Sequence, residues 1–283
     1  MIILNRDALK KYLTPLMPIP TTLKAGGKLE GQILCILFDV YGTLFISASG
    51  DIGAAEKRSQ SADKIQELLI KYDIKTAPQI VLHDFYAAIK KQHDNMRKKG
   101  VDCPEVEIDK IWMDVLKISN PGFIQKFAIE FELIVNPVYP MPHLKEMLAA
   151  LRHRKMMMGI ISNAQFYTLY LFFWYLNSDL KKLGFHPDLI FLSYRLKRAK
   201  PSLLLFDQAV KKLKGMGIRP SSVLYLGNDM LNDINPAGKV GFKTALFAGD
   251  ARSLRLRTDD LRCARTAADL IITDLMQLTE YIQ

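Results

Sequence analysis

The rhythm of apolar and polar positions changes twice along this chain. Residues 33–38 are all apolar, and the run ends in Asp39, with Val40, Tyr41, Gly42, Thr43 and Leu44 behind it. The run is too short for an independent helix and reads as a parallel strand buried on both faces. Asp39 then stands at the carboxyl end of that strand, where open α/β sheets bind ligands. After Thr43 the chain turns small and polar over residues 47–53, a loop signal. Four stretches of helical rhythm follow, at 61–72, 78–99, 104–118 and 121–135. Ile65, Leu68, Leu69 and Tyr72 recur at helical spacing. Pro78, Pro104 and Pro121 sit where proline suits a first helical turn.

From Pro140 onward short apolar runs alternate with helical ones. Expected strands lie at 156–161, 189–192, 223–226, 244–247 and 270–272. Expected helices lie at 143–154, 165–183, 202–214, 231–240 and 275–282. Such alternation predicts an α/β fold, a parallel-sheet, Rossmann-like core with helices on both faces. No strand-like run interrupts residues 47–137, which predicts an all-helical insert. The core then comprises 33–46 and 138–283. Residues 1–32 read as an N-terminal extension, with a short helix at 7–13 stopped by Pro15, Pro18 and Pro20. Gly26, Gly27 and Gly31 mark a loop before the first strand. Whether the extension packs on the core or on a neighbour is open.

Composition narrows the function classes. The chain has 283 residues, enough for one large domain or for a core plus an insert. Cys35, Cys103 and Cys263 are too few and scattered for a disulfide framework or a zinc site, which suits a reducing, cytoplasmic setting. The first residues lack a signal-peptide core. The longest apolar stretch, 166–176, is about half of the ~20 residues a membrane span needs, so no membrane association is expected, and the stretch reads as a buried helix or, if exposed, an interface. Net charge is +10, but the basic residues are spread in small clusters such as Arg252, Arg255 and Arg257. Without an aromatic-interleaved basic motif no nucleic-acid partner is expected. A basic surface does suit attraction of a small anionic substrate. Oligomeric state is open.

Three later segments give Asp39 a context. Ile160, Ile161, Ser162 and Asn163 end one apolar run. Ala199, Lys200 and Pro201 close a loop. Gly227, Asn228, Asp229 and, four residues on, Asp233 follow another strand. In this order of carboxylate, hydroxyl, lysine and acidic pair, the chain from about residue 33 onward resembles the haloacid dehalogenase superfamily of hydrolases. The resemblance implies a type 1 helical cap for the insert and Asp39 as nucleophile, forming a covalent aspartyl intermediate. It gives Tyr41 the residue position of acid–base help, with a backbone carbonyl that can meet metal. It places Ser162, Asn163 and Thr43 on the substrate and gives Lys200 the task of neutralising charge beside Asp39. Asp39, Asp229 and Asp233 would hold Mg²⁺ through oxygen. A frame with five residues between the acids would begin at Asn228, which is no acid. Each motif also has a plainer reading. Asp39 can cap a turn, Ser162 and Asn163 can form one, and the acids can start a helix.

The first motif departs from the phosphatase pattern. Phosphatases of this family usually carry aspartate where Tyr41 stands, and loss of positioned acid–base help can cost about 10²–10⁴-fold. Asp-x-Tyr-Gly-Thr instead looks like the 2-haloacid dehalogenase branch, where departing halide needs no proton. Those enzymes need no metal, lack the full acidic pair and carry an arginine soon after the motif; here Arg58 is the first. On the acidic pair, a Mg²⁺-dependent hydrolase of a small phosphorylated metabolite is the leading expectation. The alternatives are a dehalogenase and a non-catalytic sensor of a phosphorylated ligand. His83, His93 and Trp112 are candidate substrate contacts in the cap, although helix-spaced aromatics more often fill a core.

Overall fold

The computed structural model describes residue 4, residues 6–48 and residues 62–282. Its strands are β1 (Gly26–Gly27), β2 (Cys35–Phe38), β3 (Phe45–Ser47), β4 (Val138–Pro140), β5 (Met157–Ser162), β6 (Phe185–Leu192), β7 (Val223–Gly227), β8 (Lys243–Phe247) and β9 (Leu270–Ile272). Seven form one sheet in the order β1-β9-β8-β7-β2-β5-β6. Every pair in it is parallel except β1 with β9. This is the expected α/β core.

β2 lies in the middle, which explains its unbroken apolar sequence: Cys35, Ile36, Leu37 and Phe38 are fully buried. Phe38 is opposite Ile160 on one side and Leu226 on the other. From β2 the chain builds outward through β5 and β6, then crosses back to start β7 on the other side. The order therefore reverses at β2 and β7, and the crevice beyond their carboxyl ends is the ligand position of an open sheet.

Helices Ala62–Lys71, Pro78–Lys98, Ile108–Leu116 and Pro121–Val135 form the insert. Their core is aromatic. Phe85 stacks on Trp112 with ring centroids 4.1 Å apart, and Phe127 and Phe131 meet Trp112 edge-on at 4.9 and 4.7 Å. Helix Pro121–Val135 starts sharply because the Asn120 side chain accepts the Phe123 N–H and Pro121 takes the first turn.

Several boundaries differ from the sequence expectation. The helix expected at 104–118 begins only at Ile108, because Pro104 bridges to Arg198. The one expected at 165–183 breaks into Tyr170–Leu176 and Leu180–Leu183, where Asn177 turns left-handed and Asp179 caps a new start. Tyr170, Leu171, Phe172 and Trp174 of that stretch are core, not an exposed interface. The helix expected from Leu231 begins as a π-helical turn, Met230–Ile234. The antiparallel pair β3–β4, whose strands flank the whole insert, and the pairing of β1 have no counterpart among the expected strands, since two or three residues show no periodicity. The loop expected at 47–53 lies mostly outside the described residues, as do Arg58 and Ser61.

The extension packs on its own chain. Tyr12 donates to Glu130 in the cap at 2.7 Å, and the Trp174 indole donates to the Leu4 carbonyl at 3.2 Å. Farther on, Ile19 N–H meets Asp250 at 3.0 Å and Thr21 donates to the Ala248 carbonyl at 2.7 Å. Among the described residues no helix is long and apolar enough to cross a membrane.

Candidate active site

The strand-end turn positions Asp39. Its N–H continues the β2–β7 pairing to the Leu226 carbonyl at 2.9 Å, after which Val40 to Phe45 fold tightly around the Val40 carbonyl. Gly42 sits there with φ +79°. A Cβ at that position would lie 2.5 Å from the Ser253 Cβ and 2.7 Å from the Asn228 amide, so the turn admits glycine only.

Lys200 is the centre of the buried polar cluster. Its Nζ donates to Asp39 Oδ1 at 2.7 Å, to Asp233 Oδ1 at 2.5 Å and to the Tyr225 hydroxyl at 3.1 Å. Burial works against its charge, but Asp233 and Asp39 outweigh burial and hold the ammonium above its ordinary pKa. Asn163 clamps the lysine backbone, accepting from Lys200 N–H at 2.7 Å and donating to its carbonyl at 3.3 Å. Asp233 also accepts the N–H groups of Asn228 and Asp229, each at 3.0 Å. Burial pushes its carboxyl up to about 6, against the pull of Lys200.

The other expected residues divide. Tyr41 lines the cavity above Asp39, and its hydroxyl is 3.0 Å from that of Thr168. Burial drives its pKa up, helped by the charge of Glu132, so it is no base at neutral pH. Ser162 is fully buried, with Asn163 forming the neighbouring cavity wall. Thr43 is equally buried and holds the Asn228 side chain at 3.1 Å. Asn228 therefore faces the Asp39 turn, whereas Asp229, also on the cavity wall, is engaged by other partners. One Asp229 oxygen caps the π-helical turn through Leu231 and Asn232 N–H, and Arg257 embraces both oxygens at 3.1 and 2.6 Å. His93 and Trp112 line the cavity, while His83 is exposed and pairs with its neighbour Asp84.

Mg²⁺, implied by the resemblance, takes oxygen donors. Both Asp229 oxygens are engaged, and Asp233 is held by Lys200 and two backbone amides. Among the described residues no three acidic, histidine or cysteine side chains converge on a metal position. All four carboxylate oxygens of the acidic pair are thus engaged, and as arranged the pair does not fit the cation.

The cavity encloses about 320 Å³ between sheet edge and cap. Its wall contains residues that sequence reasoning missed. Arg255 and Arg257 come from the segment after β8 and read in the sequence as part of a solvated basic cluster. Glu105, Glu132 and Tyr167 come from the cap and its junction with the core.

The model of a family described as haloacid dehalogenase-like hydrolase matches residues 97–247. A 2-haloacid dehalogenase from Pseudomonas syringae pv. Tomato DC3000 superposes with TM-score 0.55 at 19% identity, over 88% of this chain and 98% of that one. L-2-haloacid dehalogenase RSc1362 gives 0.53 at 15% identity, over 89% and 100%. A HAD phosphatase from Thermococcus onnurineus gives 0.51 at 14% identity, over 88% and 97%. A comparison with curated proteins found no match.

Proposed function

Because the chain belongs to the haloacid dehalogenase-like hydrolases, we propose that Asp39 is the nucleophile of a covalent hydrolysis at carbon, on a small 2-haloacid-type monoanion. The arrangement of charges carries this reading. Lys200 is shared by Asp39 and Asp233 and Arg257 is taken by Asp229, which leaves Arg255 as the one arginine or lysine of the cavity without a carboxylate partner among the described residues. A phosphate dianion would find a single cation for two charges. A monoanion needs one cation, and Arg255 offers it: among the described residues its guanidinium donates to the Arg252 and Leu254 carbonyls, at 2.7 and 3.0 Å. Tyr41 supplies no acid, and halide requires none.

In this mechanism Lys200 orients Asp39 through its 2.7 Å contact. An Asp39 oxygen attacks the halogen-bearing carbon, the carbon–halogen bond breaks, and its electron pair leaves on halide. Water then adds to the Asp39 carboxyl carbon of the ester, and the bond from that carbon to the substrate oxygen breaks. A hydroxy acid departs, Asp39 is regenerated, and the proton from water goes to solvent.

Metal-dependent hydrolysis of a phosphomonoester, first on sequence grounds, becomes the second reading. The acidic pair favours it, but it requires Arg257, a third exposed, to release Asp229. The test is halide release from 2-haloacids beside phosphate release from an aryl phosphate, each with Mg²⁺ or a chelator, in wild type and Asp39→Asn. Chelator-insensitive halide release that Asp39→Asn abolishes is expected. Mg²⁺-dependent phosphate release without halide release would overturn the first reading in favour of the second. Ligand-induced melting shifts without product in either assay would leave a binding protein.

A further inference from the structure

The cavity is charged unequally from one end to the other. Lys200, Arg255 and Arg257 line it near Asp39, whereas the cap lines it with Glu105 and Glu132 and no lysine or arginine. Both acids are held only by neutral donors. Glu105 accepts from the Ser193 hydroxyl at 2.8 Å, Val106 N–H at 2.9 Å and the Gln165 amide at 3.2 Å. Glu132 accepts from the Asn136 amide at 3.1 Å and from the Tyr167 hydroxyl. Among the described residues neither forms an ion pair. An ionised carboxylate buried without a cation is expensive, and burial accordingly raises the pKa of both groups.

Two further observations concern the same cavity. His93 Nε2 is buried against the cavity and has no hydrogen-bond partner. Burial lowers the pKa of this imidazole, which keeps it neutral and able to accept a proton donor. The wall also includes Phe85, Tyr86, Trp112 and Phe131, with Phe85 and Trp112 stacked on each other. Core packing accounts for the aromatic rings. It does not account for two acids and an unpaired imidazole nitrogen facing the void.

We propose that the cap end of the cavity receives a primary ammonium, so that the substrate carries an amino group on the side away from its reacting carbon. This rests on the reading of the cavity as the substrate site. The ammonium would supply the missing countercharge to Glu132 and Glu105 and a donor to His93, while Arg255 holds the anionic end.

The test uses a matched pair of unreactive probes, 4-aminobutanoate and pentanoate, which share chain length and carboxylate and differ in the terminal group. Binding is measured by calorimetry on the whole wild-type protein, then on Glu132→Gln and Glu105→Gln. The amino probe is expected to bind at least about tenfold more tightly. Glu132→Gln or Glu105→Gln should remove most of that preference. Equal or tighter binding of pentanoate to the wild type overturns the proposal, and this arm needs no variant to fold. A preference unchanged in both variants also overturns it. Since neither probe has a leaving group, an ammonium preference in a protein that releases no halide would sink the reaction proposed above and leave this inference standing.

Discussion

Replacing Lys200 by methionine is the most searching perturbation of this site. The ammonium lies between Asp39 at 2.7 Å and Asp233 at 2.5 Å, and its side chain is only 3% exposed. Methionine fills similar space but leaves two buried carboxylates facing each other without a cation. Removing one member of a buried pair costs about 3–5 kcal/mol, because the charge left behind is uncompensated. That is a large part of the stability of an ordinary domain, about 5–15 kcal/mol. Asp39 would also lose the donor that orients it, and turnover should fall. Asp39→Asn is the control. The asparagine carbonyl still accepts from Lys200, and Lys200 keeps Asp233, so stability should stay within about 1 kcal/mol of wild type while turnover disappears. In the double variant the repulsion between the acids is gone, so the loss should fall short of the sum by at least about 1 kcal/mol. Denaturant melts of the four proteins give these numbers directly. A Lys200→Met protein as stable as wild type, or strictly additive losses, would refute the bridging role of Lys200.

Two further outcomes follow from the same geometry. The Asp233 carboxyl, raised by burial from 3.8 to about 6, should give activity an acidic limb near that pH, because protonation loosens Lys200; Asp233→Asn should abolish the limb in a pH–rate profile. Its stability effect has the opposite sense: the folded chain binds this proton more tightly, so the contribution grows as pH falls below about 6 and is complete below 3.8. Gly42→Ala should lower the denaturant midpoint by at least about 1–2 kcal/mol equivalent and reduce turnover, since a left-handed φ is strained for alanine and its Cβ meets Ser253 and Asn228.

The centre of the sheet was legible because β2, β5 and β7 are buried on both faces and carry apolar runs, whereas the first half of the edge strand β6, with His186, Pro187 and Asp188, was missed. Asp39, Lys200 and Asp233 were legible as candidates because each marks a strand end, a loop or a helix start, and the fold brings all three together. Asp229 shows the limit of such reading. An acid after a strand serves equally as a ligand or as a cap, and only the position of Arg257, 28 residues later, separates the two. Arg255 and Arg257 themselves follow no periodicity and look like surface charge. Glu105 and Glu132 look like polar residues at the edge of a helical insert, since nothing local reveals that a cavity opens beside them. The strands β3, β4 and β1 are too short to leave a pattern and exist through their partners.

The N-terminal extension links two parts of the cavity wall that are far apart in the sequence. Tyr12 is bonded to Glu130, on the cap helix that also carries Glu132, and Ile19 is bonded to Asp250, at the head of the segment that carries Arg255 and Arg257. A short stretch containing Pro15 and Pro18 connects those anchors, and proline leaves little slack. Cap and arginine segment therefore share one short covalent tether, and how far either can be displaced with both anchors kept is bounded by the reach of residues 12–19.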